Sequence, residues 1–208
     1  KKGGGGSEIK EETNINIKDI IAPSYIGIKE NYAKLGEKIA KSYFIFSYPR
    51  YLDTGWLSPA INLNVAMDIS IFIHPVSSAI ILKKLRAKIT QVASELLERE
   101  EKGLIREPSL ETGYQDIENL RDKIMTAQEK MFRMGLYITI YQDSEEQIRE
   151  IETSLRSIFE SRLIYIRPAT FKQKEGLIST GPYGLDLIGI HTPMNTAPLS
   201  TSFPFVYF

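Results

Sequence analysis

His74 and His191 are the only two histidines among 208 residues and cysteine is absent, so imidazole and carboxylate groups are the first place to look for a metal site or a proton relay. His74 ends a strand-like run just before Pro75, and His191 lies in a loop-like stretch. Neither has a second histidine or a carboxylate at ligand spacing, and no metal is expected. Paired carboxylates occur at Glu100-Glu101 and Glu145-Glu146. Both pairs fall on expected helix surface in water, where nothing raises a carboxyl pKa toward general-acid work. No Gly-x-x-x-x-Gly-Lys-Ser/Thr phosphate loop, Gly-x-Ser-x-Gly elbow or His-Glu-x-x-His pair is present. Gly181, Gly184 and Gly189 lack dinucleotide-fingerprint spacing and read as turn residues. No catalytic, cofactor-binding or metal-binding residue is assigned, and no cofactor is expected in this chain.

Composition narrows the classes further. Lysine plus arginine equals aspartate plus glutamate at 26 each, so the positive excess that concentrates proteins on phosphate backbones is missing. Hydrophobic residues make up 42% of the chain, enough for a buried core. The absence of cysteine excludes disulfides and thiolate chemistry. The longest apolar run, Ile69 to Leu82, is broken by Ser70, His74, Pro75 and a serine pair, so no membrane span is expected.

The elements that would position any site follow from periodicity. Residues 1–18, opening on Lys1-Lys2-Gly3-Gly4-Gly5-Gly6-Ser7, read as a flexible tether. Tyr25 to Leu35 and Lys41 to Tyr48 read as a β-hairpin, and Trp56 as a buried anchor of the loop after it. Leu136, Ile138 and Ile140 alternate with Tyr137, Thr139 and Tyr141, which predicts a central strand over Gly135 to Tyr141. Val65 to Ile73 has the same period and predicts its neighbour. Between them, Leu82, Leu85, Ile89, Val92 and Leu96 form one helical seam, and Leu110, Ile117, Ile124 and Met131 a second, predicting an antiparallel helical hairpin over 77–131. Its charged tip, about Glu98 to Glu107, should point into water.

Ser144 with Gln147 predicts a capped helix start, with Ile148, Ile151, Leu155, Ile158 and Phe159 on its inner face. Leu163 to Ile166 reads as a strand ended by Arg167-Pro168, and Ala169 to Ile178 as a helix with Phe171 and Leu177 inward. Residues 19–180 are expected to form an α+β domain with helices on one side of a mainly antiparallel sheet, a ferredoxin-like plan with the helical hairpin inserted. Residues 181–208 lose periodicity and read as an irregular tail, and a chain stopping on Val206-Tyr207-Phe208 reads as part of something longer.

One ordered set of motifs resembles a known family. Asp19-Ile20-Ile21-Ala22-Pro23-Ser24-Tyr25, Tyr48-Pro49-Arg50-Tyr51, Trp56-Leu57-Ser58-Pro59, Met67-Asp68-Ile69-Ser70, Gly135-Leu136-Tyr137, Met194-Asn195-Thr196 and Leu199-Ser200-Thr201-Ser202-Phe203-Pro204-Phe205 together resemble the N-terminal domain of conjugative-transfer ATPases of type IV secretion systems. The resemblance implies a protein on the cytoplasmic side of the inner membrane that energises pilus assembly or substrate transfer. In that family the motor domain, with its ATP and Mg²⁺ sites, follows the Ser-Phe-Pro-Phe segment, so none of its catalytic residues maps onto this chain. The implied role is a non-catalytic docking and oligomerisation domain, contacting inner-membrane secretion components and other copies of the ATPase. The alternatives are an independent α+β binding module for RNA, with Tyr137 and Tyr141 sharing a face, or for a protein partner, and then a small enzyme.

Overall fold

The computed structural model describes residues 23–105 and 107–203. The expected tether, the Asp19-Ile20-Ile21-Ala22 part of the resemblance and the last residues from Pro204 lie outside the described residues. The chain folds as α+β, and the described residues form seven strands in one mainly antiparallel sheet and six helices. β1 (Ile26–Ile28), β2 (Ala33–Leu35) and β3 (Lys38–Ser47) run back and forth at one side of the sheet. The β2–β3 turn is made at Gly36, whose φ of +59° suits a residue without a Cβ. A short α1 (Ser58–Ile61) leads to β4 (Met67–Val76), and α2 (Ser78–Glu101) and α3 (Pro108–Met125) lead to β5 (Met131–Gln142). Then come α4 (Glu145–Glu160), β6 (Tyr165–Pro168), α5 (Gln173–Thr180), β7 (Thr192–Asn195) and α6 (Thr196–Thr201).

β5 is central, with β4 along one side and both β3 and β7 along the other. β6 pairs with β3, so β6-β3-β5-β4 run antiparallel, and the connections through α1 and α4 each step over one strand. The β4–β5 ladder is unbroken from Met67↔Ile140 to Val76↔Met131, as the matching periods predict. Residues of an antiparallel ladder alternate between facing their partner strand and facing away from it. The Tyr141 N–H donates to the Ala66 carbonyl, so even-numbered residues of β4 bond to β5, while Met67, Ile69, Ile71 and Ile73 turn their N–H and C=O groups outward. Pro75 falls on the outward set. A residue without an N–H therefore breaks no hydrogen bond in this strand.

One face of the sheet carries the apolar core. Tyr43 and Ile45 of β3, Met134, Leu136, Ile138 and Ile140 of β5, and Ile148, Leu155 and Phe159 of α4 are all buried there. Ser144 caps α4 as expected: its Oγ accepts from the Gln147 N–H, and the Gln147 side chain accepts from the Asp143 N–H. Trp56 is buried against Tyr48 in an edge-on contact with ring centroids 5.8 Å apart, and beside Phe159.

The opposite face is covered as well, which corrects the one-sided arrangement of helices expected from sequence. α5 lies there with Gln173, Gly176, Ser179 and Thr180 buried. Its inner face is polar and small, so apolar periodicity could not reveal it. Phe171, expected inward, is 78% exposed with a φ of +61° just before this helix, and Leu177 is only half-buried. The expected β6 is displaced too: Leu163 takes a positive φ in a turn, and Arg167 and Pro168 lie within the strand, opposite Phe44 and Tyr43. The stretch from 181 supplies β7 and α6, where an irregular tail was expected.

Among the described residues α2 and α3 pack mainly on each other. Of the residues expected in their seam, Val92 and Ile124 are buried and Leu82, Leu85, Ile89, Leu96, Leu110 and Ile117 half-buried. α3 ends at Met125, however, so Met131 belongs to β5 and not to the seam. Between the helices the chain turns at Gly103, with φ +62°, where the Gly103 and Leu104 N–H groups cap the Glu100 and Arg99 carbonyls. The turn is less polar than expected, since Leu104 and Ile105 are 52% and 90% exposed.

Candidate functional site

The polar face of the sheet holds the one grouping of imidazole and carboxylate ligand atoms found among the described residues. Even-numbered positions of β4 and odd-numbered positions of β5 share this face, which puts His74 and Tyr137 on it. A loop running from Gly181 to His191 then folds over them. Buried Ser179 of α5 anchors that loop, because its Oγ accepts from the N–H groups of Leu187 (2.9 Å) and Ile188 (3.3 Å). Ile188, Ala169 and Tyr137 pack together beneath it, with Phe44, Phe72 and Ile190 around them.

Asp186 lies at the middle of the grouping. Its Oδ2 is 2.9 Å from His74 Nε2 and 2.5 Å from His191 Nε2. A carboxylate can only accept, so each imidazole presents an Nε2–H to the same oxygen. Its Oδ1 accepts from the Tyr137 hydroxyl at 2.7 Å and from the Gly189 N–H at 3.2 Å. The two imidazole rings meet edge to face with centroids 4.7 Å apart. Burial by itself would raise the Asp186 carboxyl, but hydrogen bonds from His191, Tyr137, His74 and the Gly189 N–H outweigh it and hold the pKa at about 2. The Tyr137 phenol is pushed up, by burial first and then by its bond to Asp186.

Gly135 makes room for the cluster. A Cβ on it would fall 2.6 Å from the Tyr137 hydroxyl oxygen and 3.1 Å from His191 Cδ2. Beside His191 a cavity of about 230 Å³ opens between β4, α2 and β7, lined by Val76, Ile81, Phe132 and Pro193 together with the cations Lys84 and Arg133. His74 is the exposed member of the cluster, with 40% of its side chain in water against 11% for Asp186 and 16% for His191.

Next to the cluster, the same face carries a chain of hydroxyls. Ser42 Oγ is 2.7 Å from Thr139 Oγ1, which is 2.6 Å from Thr180 Oγ1. Gln173 reaches the Ser42 backbone, its Oε1 accepting from the Ser42 N–H at 2.9 Å. Ser42 stands between the stretches of β3 that pair with β2 and with β6, so the Gln173 amide fills a gap in the ladder. This chain is structural, because it is closed on itself and buried.

Sequence spacing pairs neither histidine with a ligand, and the fold brings both to one carboxylate. His74 is 112 residues from Asp186 in the chain, a separation that no local motif spans. Only Asp186 and His191, five apart, leave a local trace. The carboxylate pairs Glu100-Glu101 and Glu145-Glu146 are exposed, as expected. The tyrosines proposed for base stacking are committed elsewhere: Tyr137 is fully buried and bonded to Asp186, and the Tyr141 hydroxyl donates to Asp68 at 2.6 Å. No helix among the described residues is long and apolar enough to cross a membrane. No protein-family model matches the sequence. No match is found among curated proteins either.

Proposed function

We propose that this chain acts through protein contacts, as the non-catalytic docking and oligomerisation domain of a conjugative type IV secretion ATPase on the cytoplasmic side of the inner membrane. The motif resemblance suggests the family, and the outer edge of β4 is the observation that supports the contact role. Among the described residues β4 pairs only with β5, so ten residues of strand present a free edge. An open strand edge is a template for another strand, and proteins that keep to themselves blunt such edges with charge or bulges. Here the outward backbone groups belong to Met67, Ile69, Ile71 and Ile73, with a single charge, Asp68, between Met67 and Ile73.

The edge is also complementary to itself. Two copies related by a two-fold axis through Ser70 would set Met67 against Ile73 and Ile69 against Ile71, outward residue against outward residue, with no like charges opposed. A second copy of the chain is therefore the occupant we assign to this edge. Sedimentation analysis tests the assignment: the wild type should associate reversibly, and Ile71→Pro, which removes an outward N–H without touching the β5 ladder, should be monomeric while keeping its far-UV signature. A wild type that stays monomeric at high concentration would overturn the self-pairing. ATP turnover by these residues alone would overturn the non-catalytic reading.

A further inference from the structure

The two histidines of the chain, placed far apart in sequence, meet at a single carboxylate oxygen, and they are the only two it has. We propose that His74 Nε2, His191 Nε2 and Asp186 Oδ2 form a binding site for a divalent transition-metal ion of the zinc class. The ligand atoms lie within 4.8 Å of one another. Tetrahedral legs of about 2.0–2.1 Å set ligands roughly 3.3 Å apart. Oδ2 now stands 2.9 and 2.5 Å from the two nitrogens, against the roughly 3.3 Å that tetrahedral ligands require, so it draws back by less than about one ångström. Each imidazole then carries its proton on Nδ1, or releases it, and the freed Nε2 lone pair replaces the N–H···O bond with a metal bond.

The surroundings are those of a supported site. Tyr137 and the Gly189 N–H hold Oδ1, which leaves Oδ2 turned toward both imidazoles. A hydrogen-bond donor on the non-ligating oxygen is the kind of outer partner that orients a ligand carboxylate. Two imidazoles and one carboxylate suit zinc and its neighbours and not calcium or magnesium, which take mainly oxygen ligands. Three protein ligands leave a fourth position for water, and the partial exposure of His74 gives that position access to solvent. Ligation would tie the loop carrying Asp186 and His191 to β4, whichever partner the outer edge of that strand takes.

The test is titration of the full chain, freed of any histidine tag, with Zn²⁺ in a non-chelating buffer, followed by calorimetry, and with Co²⁺, followed by visible absorption. One ion per chain should bind, Co²⁺ should give the intense d–d bands of a four-coordinate site, and the ion should raise the Tm. His74→Ala removes a half-exposed ligand from an edge strand, so the variant should fold while affinity falls at least about 100-fold, and Tyr137→Phe, which leaves all three ligands, should weaken binding about 10-fold to 100-fold. His191→Ala should abolish the Co²⁺ bands. Absence of stoichiometric binding to the folded wild type would overturn the proposal. So would binding that persists unchanged in both histidine variants, because the ion would then sit elsewhere.

Discussion

The two faces of this sheet are built by different physics. Toward α4, side chains of Leu136, Ile138, Ile140, Leu155 and Phe159 interlock with no polar atoms to satisfy. Such contacts are individually weak and non-directional, and they ask only that neighbours fill the space between them. Toward α5, Ser42, Thr139, Thr180 and Gln173 are buried in a hydrogen-bonded chain, and beside it Tyr137, Asp186 and the two histidines form a second hydrogen-bonded group. There each group depends on its neighbour, since an unpaired buried donor costs more than the bond contributed. The apolar face supplies stability and the polar face supplies position. A ligand-like cluster appears on the second, where side chains are held in direction as well as in place.

Substitutions on the two faces should separate these behaviours. Leu155→Ala leaves a void in the fully buried apolar face and should cost about 2–5 kcal/mol in urea denaturation, the largest effect expected. Gln173→Ala reopens the ladder gap at the buried Ser42 N–H and should cost about 1–3 kcal/mol. A Thr139→Val and Thr180→Val double-mutant cycle should give a coupling of at least about 0.5 kcal/mol, because the two hydroxyls bond each other directly. Additivity of the threonine pair would remove the distinction drawn between the faces.

At the margin of the apolar face, Glu152 accepts from Lys41 at 2.6 Å, from Arg156 at 3.0 Å and from the Tyr43 hydroxyl at 3.1 Å. Burial would raise its pKa, but Lys41, Arg156 and Tyr43 together lower it below the ordinary 4.5. The stabilisation is thus present above about pH 4.5 and is lost as the pH falls through the lower, folded-state pKa. Glu152→Gln should cost about 1–2 kcal/mol at neutral pH and flatten the acid limb of the stability curve. The exposed Lys102–Glu98 pair at the end of α2 should contribute least, with Lys102→Ala within about 0.5 kcal/mol of the wild type by thermal melting.

The same contrast explains what the sequence could reveal. β4, β5 and α4 are visible because burying one apolar face imposes a period of two or 3.6 on the residues, and Ser144 with Gln147 marks the helix start through an orphan N–H. α5 escapes the same reading because Gln173, Gly176 and Thr180 are neither apolar nor large, and Gly176 is required only because a Cβ there would run into the Ser42 side chain. The histidine cluster is hidden for a related reason. Its members are joined by strand register and by a loop pinned on Ser179, not by chain spacing, and register becomes visible only once β4 is laid against β5.

Pro75 turns the free edge of β4 into a ruler with a stop at one end. An incoming strand can find donors at Met67, Ile69, Ile71 and Ile73 but none at Pro75, so the usable length is seven residues of the ten. Slipping by two residues toward the proline would forfeit a hydrogen bond of about 0.5–1.5 kcal/mol, and slipping by one would set inward-bonded residues against outward ones. For a strand added at this edge, register would be dictated by where the donors run out, and alignment would need no side-chain key.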